Sequence, residues 1–177
     1  MRPLFPKDMR NDVAIVMTVL AADPETQPEI IAMIGASIAV SISDIPWNGP
    51  IGGISVGLVD GEIVLMPDAE QRAKSDLQLT VASTREKVIM IEAGANEIPE
   101  DKMIEAIYKA HEVNQEIIKF IDQIVAECGK EKHSYESCAV PQELFDEIKK
   151  IVPPEEMEVA VFSDDKQTRE NNISEIT

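Results

Sequence analysis

The sequence predicts an α+β fold, an antiparallel sheet packed by helices, followed by a partial all-α segment. Three observations carry this reading. Asp60-Gly61 divides "ISVGLVDGEIVLMP" into two β-rich runs, the signature of a hairpin with a type I′ turn. "SDLQLTVAST" at residues 75–84 alternates polar and apolar side chains with the period of a half-buried strand. From Pro99 to Cys128, Met103, Ile107, Ala110, Asn114, Ile117, Ile118, Ile121, Ile124 and Val125 recur at helical spacing, with Gly129 placed as a C-cap.

The elements follow in chain order. "NDVAIVMTVLAAD", rich in β-branched residues between polar ends, predicts a largely buried strand over 12–22. Pro24 and Pro28 mark a loop, and "PEIIAMIGASIAVSISD" predicts a helix over 28–44, apolar nearly all round and rich in small residues that permit close approach. "IPWNGPIGG" is dense in proline and glycine and reads as an ordered turn. The hairpin, a short helical or irregular "DAEQRAK", the 75–84 strand and "EKVIMIEAGA" complete a run of strands over 52–93, and the long helix covers 99–128. These elements form a first domain over 1–130. A linker and truncated all-α domain occupy 131–177, where "PQELFDEIKKIV" and "DDKQTRENNISEI" read as short helices separated by Pro153-Pro154.

A chain of 177 residues buries roughly 70% of its unfolded surface, enough for one real core. With only 4% aromatic residues, that core is built from aliphatic side chains, and stacking platforms for bases are scarce. A net charge of −17 repels a phosphate backbone, so any contact with nucleic acid is local. "MRPLFPKDMR" is the local exception, concentrating Arg2, Lys7 and Arg10. Cys128 and Cys138 show no zinc-site spacing and read as free, reduced thiols. Without a signal-peptide pattern or a membrane-length apolar run, the expectation is a soluble cytoplasmic protein with no membrane partner.

Few residues carry chemistry by themselves. His111 is a lone histidine on the long helix, and Ser37 has no histidine near it in sequence. "GPIGGISVG" lacks the lysine of a phosphate loop and leads into a strand, so turn geometry accounts for its glycines. The acids are spread over helix faces and loops, which serves solvation.

Beyond these patterns, "RPLFP", "MIGAS", "SDIPWNGPIG", "VGLVDGE" and "VIMIEAGANEIPE" stand in the order in which they occur in the first of the two RNase PH-like domains of the polynucleotide phosphorylase family. The resemblance runs from Arg2 to about Lys130, and "DDKQTREN" is similar to the helical domain that follows. It implies an RNase PH-like half-domain from an exoribonuclease that degrades mRNA from the 3′ end with inorganic phosphate, releases nucleoside diphosphates and is supported by Mg²⁺. It also implies a homotrimeric ring, with RNA bound through the complete enzyme, and leaves degradosome-type partners open. Against that family the chain reads as a fragment without the upstream strands, the second RNase PH-like domain or the RNA-binding domains. A stand-alone, non-catalytic ring or RNA-binding subunit is the alternative.

The resemblance also frames the 75–84 strand. The family's catalytic domain carries on the matching strand an Asp, a Lys two residues on, and another Asp six residues before the first. Positions i and i+2 of a strand share a face, where carboxylates hold Mg²⁺ and a cation meets phosphate. Here Gln78 occupies the Asp slot, Thr80 the Lys slot and Arg72 the earlier Asp slot, so this chain alone is expected to be inactive, with no catalytic or metal residue and no cofactor of its own. Asp76 remains as the single acid on that strand, and the phosphate-binding serine positions fall near Gln27 and Pro28, where proline offers no N–H. Arg2, Lys7 and Arg10 are the candidates for proximity to RNA, by likeness to the family's "RPLFP" segment. Loss of the upstream strands would leave the apolar 12–22 strand uncovered and prone to associate.

Overall fold

The computed structural model describes residues 1–176 and divides the chain into two compact units, Met1–Glu136 and the residues from Ser137 onward. The first opens with a 3₁₀ turn at Arg2–Leu4. It continues through helix α1 (Pro28–Ile42), strands β1 (Gly52–Val59) and β2 (Glu62–Leu65), helix α2 (Ala69–Lys74), strands β3 (Leu77–Ser83) and β4 (Val88–Ala95), and helix α3 (Glu100–Cys128). The strands form one antiparallel sheet in the order β2-β1-β3-β4. Asp60 and Gly61 both have positive φ (52° and 80°), as a type I′ turn requires.

The hydrophobic face of the sheet follows from the register. Ile54, Val56 and Leu58 of β1 and Leu77, Leu79 and Val81 of β3 point to one side, all 7% exposed or less, and Ala106 and Ala110 of α3 pack against them. Small residues at these two helix positions let α3 lie close to the sheet, and each fully buried branched side chain contributes about 1.5–3 kcal/mol. A second cluster gathers Val40, Trp47 and Ile51 with Leu4, Phe5 and Ile15 packed beside them.

Two adjacent glycines let helices approach β1 from different elements. A Cβ on Gly52 would meet the Asn114 backbone of α3 at 2.7 Å, and one on Gly53 would meet Met33 Sδ of α1 at 2.3 Å. Ser37, fully buried in α1, accepts a 2.9 Å hydrogen bond from the Ile51 N–H, so the "GAS" serine holds the turn before β1.

Three expectations are corrected. Residues 12–22 form no strand: neither edge of the sheet pairs with them, and a β-rich run without a partner ladder has nothing to satisfy its backbone in strand form. Within this stretch Val16 is 86% and Leu20 92% exposed, while Ile15 packs beside the Trp47 cluster. The first unit also continues past residue 130, to Glu136. Lys130 N–H donates to Ile42 O and His133 N–H to Asp44 O, the Lys132 ammonium donates to the carbonyls of Val40, Ser41 and Ser43 at the end of α1, and Tyr135 Oη donates to Asp8. A cation at a helix C-terminus satisfies carbonyls that have no intrahelical partner, although burial pulls the Lys132 pKa below the ordinary lysine value.

The third correction lies in the second unit, where α5 (Pro154–Val161) stands between α4 (Gln142–Ile151) and α6 (Lys166–Ile176). Pro154 takes the first helical position, where no N–H is needed, and Glu155 and Glu156 favour the positive end of the helix dipole. Asp165 caps α6, accepting from the Thr168 N–H at 2.7 Å and Oγ1 at 2.8 Å, and the Thr168 backbone bond above all lowers its pKa.

The exposed apolar stretch has a measurable consequence. Concentration-dependent association is expected by analytical ultracentrifugation at micromolar protein, and Val16→Ser with Leu20→Ser should reduce it. A wild-type chain that sediments as a clean monomer would count against this.

Candidate functional site

The face of the sheet opposite the main core is polar at its centre. The register places Ser55 of β1, Thr80 of β3 and Glu92 of β4 side by side, and Gly57, Gln78 and Gly94 in the next row. Gly94 leaves open space beside Gln78, whereas the space over Gly57 is filled by Ser75 and Pro67. Gln27, at the N-terminus of α1, and Glu29 close a cleft of about 340 Å³ over Gln78, Thr80 and Glu92. Gln27 is 8% exposed, and its Oε1 is buried with no hydrogen-bond partner among the described residues.

Arg72 reaches the same side of the sheet from α2. A capping box starts that helix: the Asp68 side chain accepts from the Gln71 N–H, and the Gln71 side chain accepts from the Asp68 N–H. The Arg72 guanidinium donates to Pro67 O (2.7 Å), Pro24 O (2.9 Å) and Glu25 O (3.1 Å), while the Glu25 carboxylate accepts from the Ala69 N–H. Arg72 thus fastens the loop before α1 to α2, and its charge is committed to carbonyls.

The three slots named from the sequence are therefore brought together, with Gln78 lining clefts shared with Arg72 and with Thr80. Asp76 sits at the end of the face, and its carboxylate accepts from Asn96 Nδ2 at 3.3 Å. Glu92 and Ser55 are additions that sequence reading missed, whereas Gln27, already marked by the resemblance as lying near the phosphate-binding serine positions, does line the cleft. Period-two alternation places Glu92 on one face of its strand, but only the Thr80–Glu92 register sets it beside the cleft. His111 lies away from this face on α3, where its carbonyl accepts from Gln115 Nε2.

This donor set does not fit a Mg²⁺ ion poised for phosphate chemistry. Gln78 and Thr80 carry no charge, and Arg72, bonded to three carbonyls, cannot ligate a cation. Among the described residues no group of three or more His, Cys, Asp or Glu side chains converges as metal ligands would. Glu29 and Glu92 make the cleft negative, the wrong sign for an anionic substrate. Arg2, Lys7 and Arg10 lie apart from it, exposed on the segment that packs against Trp47 through Leu4 and Phe5. Arg10 donates to the carbonyls of Lys7 and Met9.

Comparison with known proteins gives this geometry a context. Residues 49–113, from the turn before β1 to the middle of α3, match the model of the 3′ exoribonuclease family, domain 2. Over 176 residues, 99% of the chain, it is 65% identical to polyribonucleotide nucleotidyltransferase of Lachnoclostridium phytofermentans. This chain resembles a segment of polyribonucleotide nucleotidyltransferase. The enzymes of that name from Ruminiclostridium cellulolyticum and Clostridioides difficile are 54% and 47% identical, each over 99% of the chain. The chain spans about a quarter of the length of these polyribonucleotide nucleotidyltransferases, 25% in each case. A crystal structure of rice (Oryza sativa) Rrp46 shares the fold, with a TM-score of 0.53 over 59% of this chain and 51% of that one at 13% identity. Among the described residues no helix is long and apolar enough to cross a membrane.

Proposed function

We propose that the chain is a non-catalytic scaffold and RNA-channel part of a polyribonucleotide nucleotidyltransferase, an enzyme of 3′-to-5′ phosphorolytic RNA degradation that releases nucleoside diphosphates. The observation that carries this reading is the chemistry of the polar sheet face. Gln78 and Thr80 bring no charge, Arg72 is held by three carbonyls, and Glu29 and Glu92 repel phosphate. In this reading Mg²⁺, inorganic phosphate and the catalytic groups act elsewhere in the enzyme, which works as a homotrimeric ring in the cytoplasm. Arg2, Lys7 and Arg10 are the candidates for proximity to RNA, a reading supported by their exposure and by their taking no part in the ion pairs among the described residues.

The test is direct. Purified 177-residue chain incubated with poly(A), phosphate and Mg²⁺ is expected to release no nucleoside diphosphate, with a complete polyribonucleotide nucleotidyltransferase as the positive control. Phosphate-dependent ADP release above the level of a heat-denatured sample would overturn the reading.

A further inference from the structure

The strongest departure from the overall charge lies at one end of the sheet. Residues 1–10 and the turn at 84–87 together hold five of the sixteen cations but only two of the thirty-three acids. These stretches are far apart in sequence, and the fold brings them to one place. Asn48 N–H donates to Leu4 O at 2.9 Å, docking the N-terminal segment on the turn before β1, and a cleft of about 330 Å³ is lined by Leu4, Asn48 and Pro50 and by the 84–87 turn, the acid Glu86 included.

The turn lining this cleft is held in shape. Thr84 N–H donates to Lys87 O at 2.9 Å, and Lys87 N–H donates to Thr84 Oγ1 at 3.2 Å, so the β3–β4 turn is bonded in both directions. Arg85 pairs with Asp122 of α3 yet keeps 53% of its side chain exposed. A guanidinium has five N–H donors, and one carboxylate engages at most two in a fork, which leaves donors facing solvent. Lys87 is exposed and joins none of the ion pairs among the described residues; Glu86 is the one acid in the turn. Asn48, also exposed, adds an amide that can donate and accept. No aromatic ring lines the cleft, and nearby Trp47 is only 8% exposed, so base stacking has no platform.

Cations on a bonded turn without stacking surfaces suit a sugar-phosphate backbone, not a base. We propose that this cleft binds a phosphate-sugar unit of single-stranded RNA, with Lys87 as the phosphate contact, Arg85 beside it and Asn48 facing the ribose. The proposal rests on the reading of the chain as an RNA-channel part and extends its contact surface from residues 1–10 to the β3–β4 turn. Binding is independent of base sequence and strongly dependent on salt.

Fluorescence anisotropy of the whole chain with labelled oligo(A), titrated with KCl from low ionic strength, tests it. Lys87→Ala is expected to weaken binding about three- to tenfold and to flatten the dependence of log K on log salt by about 0.7, the share of one phosphate on a single strand. Its thermal melt should match wild type, because the side chain is outside the core. Crosslinks from 4-thiouridine RNA should fall in 84–89 and in 1–10. Unchanged affinity and slope in Lys87→Ala, or no salt-dependent binding by the wild-type chain, overturns the cleft. Equal binding of a poly-glutamate peptide of the same charge overturns its assignment to RNA. If only a combined Arg2→Ala, Lys7→Ala and Arg10→Ala variant loses binding, the RNA-channel reading stands and the cleft falls. Nucleoside diphosphate release would remove the non-catalytic reading while leaving the cleft's binding result intact.

Discussion

Gly52→Ala is expected to lower the unfolding free energy of the first unit by about 2–3 kcal/mol, read as a shift in the urea midpoint. The added Cβ would lie 2.7 Å from Asn114 O, 2.9 Å from its Cβ and 3.0 Å from its Cα. Real Cβ atoms do not approach backbone this closely, so β1 or α3 must move, and both are buried along this contact. The neighbouring Gly53→Ala is the internal control. Its Cβ would meet Met33 Sδ at 2.3 Å, but a methionine side chain can turn away, and the alanine restricts the unfolded chain. Gly53→Ala is expected to change stability by less than about 1 kcal/mol. Equal losses at the two positions would mean that the helix backbone does not set the limit at Gly52.

Asn114→Ala is expected to destabilise the same unit by about 2–4 kcal/mol. Asn114 has no exposed surface, and its Nδ2 donates to Ser83 Oγ at 2.7 Å and Val81 O at 3.2 Å, so α3 is keyed to the end of β3 by a polar bond inside an apolar interface. Truncation removes both bonds, strands the buried Ser83 hydroxyl and opens a cavity. Ser83→Ala removes one partner, and the pair is expected to couple by about 1 kcal/mol in a double-mutant cycle. Additive losses within error would show that the amide and hydroxyl do not act together. The consequence reaches the polar face, because the β3 register that places Thr80 opposite both Ser55 and Glu92 is the register this bond locks.

Much of the fold was legible because local chemistry and final structure agree. Asp60-Gly61 makes its turn with the positive φ that these two residues tolerate better than most, and the 75–84 alternation became β3 with Leu77, Leu79 and Val81 inward. The helical spacing from Met103 to Val125 became α3, where Ala106, Ala110, Asn114, Ile118 and Ile121 are the buried positions. Local pattern failed where a partner was needed. Residues 12–22 have the composition of a strand, but a strand is a paired state, and no edge of the sheet receives them. The α5 helix was hidden because Pro153-Pro154 reads as an interruption, whereas the second proline begins a helix.

The candidate site divides in the same way. Gln78 and Thr80 were readable as neighbours because positions two apart on a strand must share a face. The fate of Arg72 was not readable: a guanidinium in an acid's place suggests charge repulsion, yet its three carbonyl partners come from Pro24, Glu25 and Pro67. By itself the sequence determined the hairpin, the long helix, the acidic charge, the family likeness and the loss of charged groups at 78 and 80, since each rests on residue identity or short-range periodicity. Only the tertiary structure decided that Gln27 and Glu92 join that face, that Lys132 closes the end of α1, and that Lys87 and Leu4 line one cleft. Those pairings depend on register and packing between segments distant in the chain, where no local preference acts.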